Sequence, residues 1–198
     1  MSLMNTKDGY GALTKVFHWT IVALFAFQFA AAHIMLRIGP EQTVLGVTQA
    51  TYYNWHKSIG LLALAVAVFR LLARRCGRLP DWAPTLSARE RSFVHRAEQV
   101  LYAVMFAMPV SGYLYVMAGG YGVSLFGAVE LANPIGESAL LAAVARWTHI
   151  GCGYLLLLVL VGHVGVVLRH QLLLKDRLLD RMLPARRVRT SAAPSASG

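Results

Sequence analysis

Long apolar runs alternate with short polar connectors along the chain. Four runs, 15–36, 54–74, 94–117 and 146–170, can each cross a bilayer, which takes about 20 helical residues at about 1.5 Å rise. Each is nearly free of charge inside. Backbone groups in hydrocarbon must be satisfied within their own segment, so helices are the structure expected. The pattern predicts an all-α membrane protein, a four-transmembrane-helix bundle over residues 1–185, with a tail at 186–198. The tail from Thr190 to Gly198 is Ser, Ala and Pro, a composition expected to be disordered. The second loop, Leu79-Pro80-Asp81-Trp82-Ala83-Pro84, reads as a Pro-punctuated connector. The third, rich in Gly and containing Asn133-Pro134, reads as a short outer cap. No internal repeat is visible.

Composition agrees with lipid as the solvent. The 198 residues are 57% hydrophobic and only 14% charged, where soluble domains carry about a quarter charged residues. The formal charge of +10 raises nucleic acid as a partner. The basic residues form no such face or motif; they gather at the ends of the apolar runs, where anionic headgroups are the expected partner. The N-terminus opens polar and runs into a full-length span, so no cleavable signal peptide is expected. Cys76 and Cys152 belong to neither a CxxC metal pair nor a CxxCH motif, so neither marks a covalently attached cofactor.

Charge also sets orientation. Lys7 and Lys15 precede the first span, and Arg74, Arg75, Arg78, Arg89, Arg91 and Arg96 flank the second loop. Arg169, Lys175, Arg177, Arg181, Arg186, Arg187 and Arg189 crowd the C-terminal segment. The first loop has only Arg37 and Glu41, and the third has Glu130 and Glu137 before Arg146. The positive-inside rule places both termini and the second loop in the cytoplasm.

Ionisable residues inside a span are costly and mark function, which turns attention to the seven histidines. His149 and His163 are fourteen residues apart on the last run. At about 100° per residue they return to within roughly 40° of one direction, about 21 Å apart along the axis. His56 starts the second run at the depth of His149, and His18 starts the first at the depth of His163. Imidazoles from two helices meeting at one level are what bis-histidine haem ligation requires. Gly60, Gly151, Gly153 and Gly162 would leave room for a macrocycle. The bland alternative is four isolated, hydrogen-bonded histidines. Zinc would want tighter clusters, usually with Cys or carboxylate. His33 and His95 read as interfacial, although His33 could compete with His56. His170 lies two turns beyond His163 and either lines a pocket beside the inner site or sits at the interface.

The residues resemble the bacterial cytochrome b561 family over most of the chain. The resemblance rests on Phe17-His18-Trp19, Trp55-His56-Lys57-Ser58-Ile59-Gly60, Ala107-Met108-Pro109-Val110-Ser111-Gly112 and Trp147-Thr148-His149 with the step to His163. The closing Lys175-Asp176-Arg177-Leu178-Leu179-Asp180-Arg181-Met182-Leu183-Pro184 adds to it. His33 and the Ser/Ala tail have no counterpart in the family pattern. The resemblance implies two b haems, one on His18 and His163 and one on His56 and His149. It also implies a multi-pass protein of the bacterial inner membrane, a superoxide oxidase that oxidises superoxide outside and reduces ubiquinone.

On that reading Lys57 and Arg146 flank the outer haem and draw in the anion, or else are ordinary interfacial anchors. Arg70 pairs an inner propionate, or snorkels to the headgroups. His170 and Lys175 are the groups offered for the quinone. Two other readings stand beside it. One is a b-type electron-transfer subunit docked on a redox partner protein such as a dehydrogenase or hydrogenase. The other is a non-redox membrane protein with incidental histidines.

Overall fold

The computed structural model describes residues 2–183; the expected tail at 186–198 lies outside them. Helix α1 is Ala12–Met35, α2 Gln49–Cys76, α3 Ala88–Ala118 and α4 Ala139–Leu168. A π-helical turn, Arg169–Leu174, continues α4, and a short 3-10 turn, Leu178–Arg181, follows.

All four helices begin earlier than hydropathy alone suggests, and polar caps start three of them. The Thr48 side chain accepts from Thr51 N at the head of α2, and Ser138 accepts from Leu141 N at the head of α4. Ser87 and Glu90 close a capping box at the head of α3, each side chain satisfying the other's exposed N–H. Three helices are long and apolar enough to span a membrane: α1, α3, and α4 with its π continuation. The run expected at 54–74 does form a helix, but Lys57, Arg70, Arg74 and Arg75 on α2 dilute its apolar character.

The loops opposite the termini each hold a short hairpin that hydropathy does not predict. Thr43–Val44 (β1) and Val47–Thr48 (β2) pair as a tight hairpin around Leu45-Gly46, both at positive φ. That combination is what a two-residue type I′ turn needs. Ser124–Leu125 (β3) and Val129–Glu130 (β4) form a second hairpin within the third loop. The buried Ser58 hydroxyl holds it to α2, donating to Asn54 O and Ser124 O and accepting from Phe126 N.

Packing runs in chain order, α1 along α2, α2 along α3, and α3 along α4. The interhelical core uses small residues, with Ala31, Ala63 and Ala67 almost wholly buried, which lets backbones approach closely. Ile21, Ala67 and Met105 form one cluster and Ala31, Met35 and Tyr52 another. The outer faces are apolar instead of charged: Leu158 is 71% exposed and Val161 74%. Lipid is the solvent that explains such faces.

The terminal end is knitted together by main-chain acceptors. Lys15 Nζ donates to Leu183 O (2.6 Å) and Trp19 Nε1 to Met182 O (2.9 Å). Asp81 N donates to Lys7 O, and Arg181 to Asp81 O. The N-terminal segment, the α2–α3 loop and the chain after α4 therefore close one end of the bundle.

Candidate functional site

Helix α4 carries His149 and His163 at two levels of one continuous helix, about 21 Å apart on the 1.5 Å rise. At the hairpin end, the ring of His149 faces that of His56 on α2. Their centroids are 6.0 Å apart and their planes cross at 82°. Both line a largely apolar cavity with Phe25, Gly60, Met108 and Gly112. At the terminal end, His18 on α1 lies within electrostatic reach of His163, and Arg70 of α2 lies within reach of both.

The fit to a flat metal macrocycle can be judged on the donors present. The 6.0 Å between ring centres is a spacing that two metal–imidazole bonds of about 2 Å could bridge. The Nδ1 of His149 donates to Met108 O at 2.8 Å. A carbonyl only accepts, so the proton sits on Nδ1 and Nε2 keeps the lone pair a metal needs. Gly112 makes this possible, since a Cβ there would lie 2.9 Å from His149 Nδ1. At the other pair, Arg70 Nη1 is buried with no hydrogen-bond partner among the described residues, while its Nε reaches Tyr102 Oη at 3.3 Å. An orphaned guanidinium donor suits a carboxylate such as a haem propionate. Among the described residues no three His, Cys, Asp or Glu side chains converge to hold a bare ion. The pairs therefore suit a group that brings its own equatorial ligands, and the residues fit haem.

The other residues singled out in the sequence fall as follows. Lys57 lines the His56–His149 cavity, its Nζ donating to Gly122 O at 2.9 Å. Arg146 is exposed and stacks over Trp147 at 5.5 Å; it does not line that cavity, although Tyr115, which does, is within its electrostatic reach. Of the four glycines, Gly60 packs on Gln28 and Gly162 on Phe93, while Gly151 and Gly153 border open space. His33 and His95 are exposed and partnered locally, by Arg37 and Gln99. Lys175 is exposed in a left-handed turn.

His170 is wholly buried, its Nδ1 2.5 Å from Asp176 Oδ2 and its Nε2 3.2 Å from Glu90 Oε1. The bond from His170 holds the Asp176 carboxyl below its ordinary value, with burial opposing it.

Five groups around the candidate sites carry no role that the sequence alone revealed. The Met108 carbonyl carries no side-chain signal. Gly112 stood in a quoted motif without a role. Gln28 is a polar residue inside an apolar run, and its Oε1 is buried without a partner among the described residues. Glu90 and Asp176 flank the helix ends near His170, a proximity that spacing does not reveal.

A bundle with apolar outer faces, and with histidines of different helices paired inside it, defines a membrane cytochrome of the b type. The match to known proteins agrees. The chain belongs to the prokaryotic cytochrome b561 family, whose model matches residues 9–185. It is 30% identical to cytochrome b561 homolog 2 of Escherichia coli (strain K12), covering 92% of this chain and 95% of the relative. It is 26% identical to the probable superoxide oxidase CybB of Yersinia pestis, covering 90% and 97%. Cytochrome b561 homolog 1 of Escherichia coli (strain K12) is 23% identical, covering 86% and 94%. The protein is thus a multi-pass bacterial membrane protein of a family that binds b-type haem and transfers electrons.

Proposed function

We propose that the protein is a di-haem superoxide oxidase of the bacterial inner membrane, passing electrons from superoxide on the periplasmic side to ubiquinone. His56 and His149 hold the outer haem and His18 and His163 the inner one. Both termini face the cytoplasm, and α2 is the fourth span, its Lys57 and Arg70 lying toward opposite ends of the bundle. The observation that carries this reading is the His56–His149 imidazole pair, the His149 tautomer set by Met108 O, with His18 and His163 within electrostatic reach of each other at the other level. The printed name of the Yersinia pestis relative supports the choice of superoxide. Bound at these sites, b haems supply one-electron carriers across the bilayer.

The chain's own residues do the rest. Lys57 holds a positive charge at the wall of the outer cavity, fixed there by Gly122 O. It raises the local concentration of a small anion. Arg146 adds to that field from the exposed face of α4. Arg70 offers its free Nη1 to an inner propionate. His170 and Lys175 are the protonic and cationic groups we assign to the quinone end.

The test is stopped-flow mixing of haem-loaded protein with superoxide, with and without ubiquinone, while the haem bands are followed. Haem reduction by superoxide and reoxidation by quinone are expected. An electron-transfer subunit that needs a docked partner would show neither on its own.

A further inference from the structure

The terminal end holds a buried ionisable group for which haem binding gives no reason. His170 lies in the π-helical turn with no exposed surface. Both ring nitrogens face carboxylates, Asp176 on one side and Glu90 on the other. A carboxylate accepts, so a ring that serves both carries a proton on each nitrogen. No substrate can touch this imidazole directly, which leaves it as an intermediate in a chain.

The two ends of that chain face different surroundings. Asp176 lines a polar cavity of about 440 Å³ between the α2–α3 loop and the segment after α4. The cavity has room for a column of water, at about 30 Å³ of liquid volume per molecule. Lys7, Asp8, Asp81, Arg177 and Arg181 are the other charged groups on its walls. Glu90 lies one helical turn before Phe93, whose ring would meet a Cβ on Gly162 at 2.6 Å, beside His163. Arg169 contacts Glu90, and Ser87 donates to it from both its N and its hydroxyl. Two left-handed residues, Lys175 and Arg177, bracket Asp176 and turn its carboxylate back onto His170. Positive φ at such residues is uncommon, and π turns recur at functional sites.

We infer that Asp176, His170 and Glu90 form a proton relay that carries protons from the aqueous cavity to a quinone beside the inner histidine pair. The inference rests on the quinone-reducing reading above. Reduction of one quinone to quinol takes two electrons from the haem chain and two protons. Each proton leaves Glu90 for a reduced quinone oxygen and is replaced from His170 Nε2–H. The neutral ring returns to the tautomer with its proton on Nε2, and Asp176, protonated from water, then recharges Nδ1.

The test uses the full haem-loaded protein, pre-reduced and mixed with a short-chain ubiquinone, against ferricyanide, an acceptor that takes no proton. The variants are Asp176→Asn, Asp176→Glu and Glu90→Gln. Positioned proton transfer contributes about 10²–10⁴-fold. Asp176→Asn and Glu90→Gln are therefore expected to slow reoxidation by quinone at least about tenfold, more at high pH. Both should lower the proton uptake seen by a pH dye, while ferricyanide rates and haem content stay unchanged. Asp176→Glu should restore most of the rate. Quinone rates equal to wild type in both variants across the pH range would overturn the relay. Equal losses with ferricyanide would reduce the cluster to a structural clamp. A wild type that reduces ferricyanide but never quinone would instead remove the quinone reading on which the relay stands.

Discussion

Replacing Gly112 with alanine perturbs one histidine and leaves the rest of the bundle as it is. The new Cβ would lie 2.9 Å from His149 Nδ1 and 3.0 Å from Cε1, where ordinary contact begins at 3.4 Å. The ring must therefore withdraw by about 0.5 Å, the difference between 3.4 and 2.9 Å. A withdrawal of that size lengthens the 2.8 Å bond to Met108 O to about 3.3 Å, outside the normal N–H···O range. Overpacking of this kind costs about 1–3 kcal/mol, and losing the outer partner of a metal-ligating histidine costs about 10–100-fold in metal affinity. The assay is haem content by pyridine haemochrome, with redox titration of the separate bands. The variant should lose or loosen the outer haem and keep the inner one. Full occupancy of both haems with unchanged potentials would refute the idea that Gly112 and Met108 O position the His149 ring.

Further expectations follow from the other polar groups. Arg70→Met removes a cation beside the inner pair, so the oxidised haem becomes relatively more stable; its midpoint potential should fall by about 60 mV for each tenfold change in the equilibrium, while the outer potential stays put. Lys57→Glu should slow superoxide-driven haem reduction at low ionic strength, and the difference should shrink as salt screens it. An equal rate at every salt concentration would leave Lys57 a packing residue. For Asp176 the folded carboxyl titrates below its ordinary value, held there first by His170. Its contribution to stability is thus complete above the ordinary carboxylate pKa and is lost as pH falls through the lowered one. The gap in melting temperature between wild type and Asp176→Asn should hold constant from neutral pH to about 5 and close in stronger acid.

Much of the bundle was legible because lipid imposes one solution on long apolar runs. The histidine pairs were legible because fourteen residues bring His149 and His163 to one face of a helix. Helix starts were misplaced where hydropathy was followed in place of caps: Ser87 and Glu90 already spelled the head of α3. Helix α2 is the least legible as a span, since Lys57, Arg70, Arg74 and Arg75 lower its hydropathy. The hairpins at Leu45-Gly46 and Phe126-Gly127 rest on two-residue strands, too short for any alternation to show. What surrounds His170 was out of reach for a different reason. Glu90 is eighty residues away in sequence, and only the π turn and the left-handed residues at Lys175 and Arg177 bring Asp176 onto the ring.

The central claim, two haems held by four named histidines at two depths, is met most directly by counting haems in single-histidine variants. Wild type should carry two b haems per chain. His56→Ala and His149→Ala should each lose the same spectral component, and His18→Ala and His163→Ala should each lose the other. One haem in the wild type, or losses that pair the histidines differently, would contradict the account.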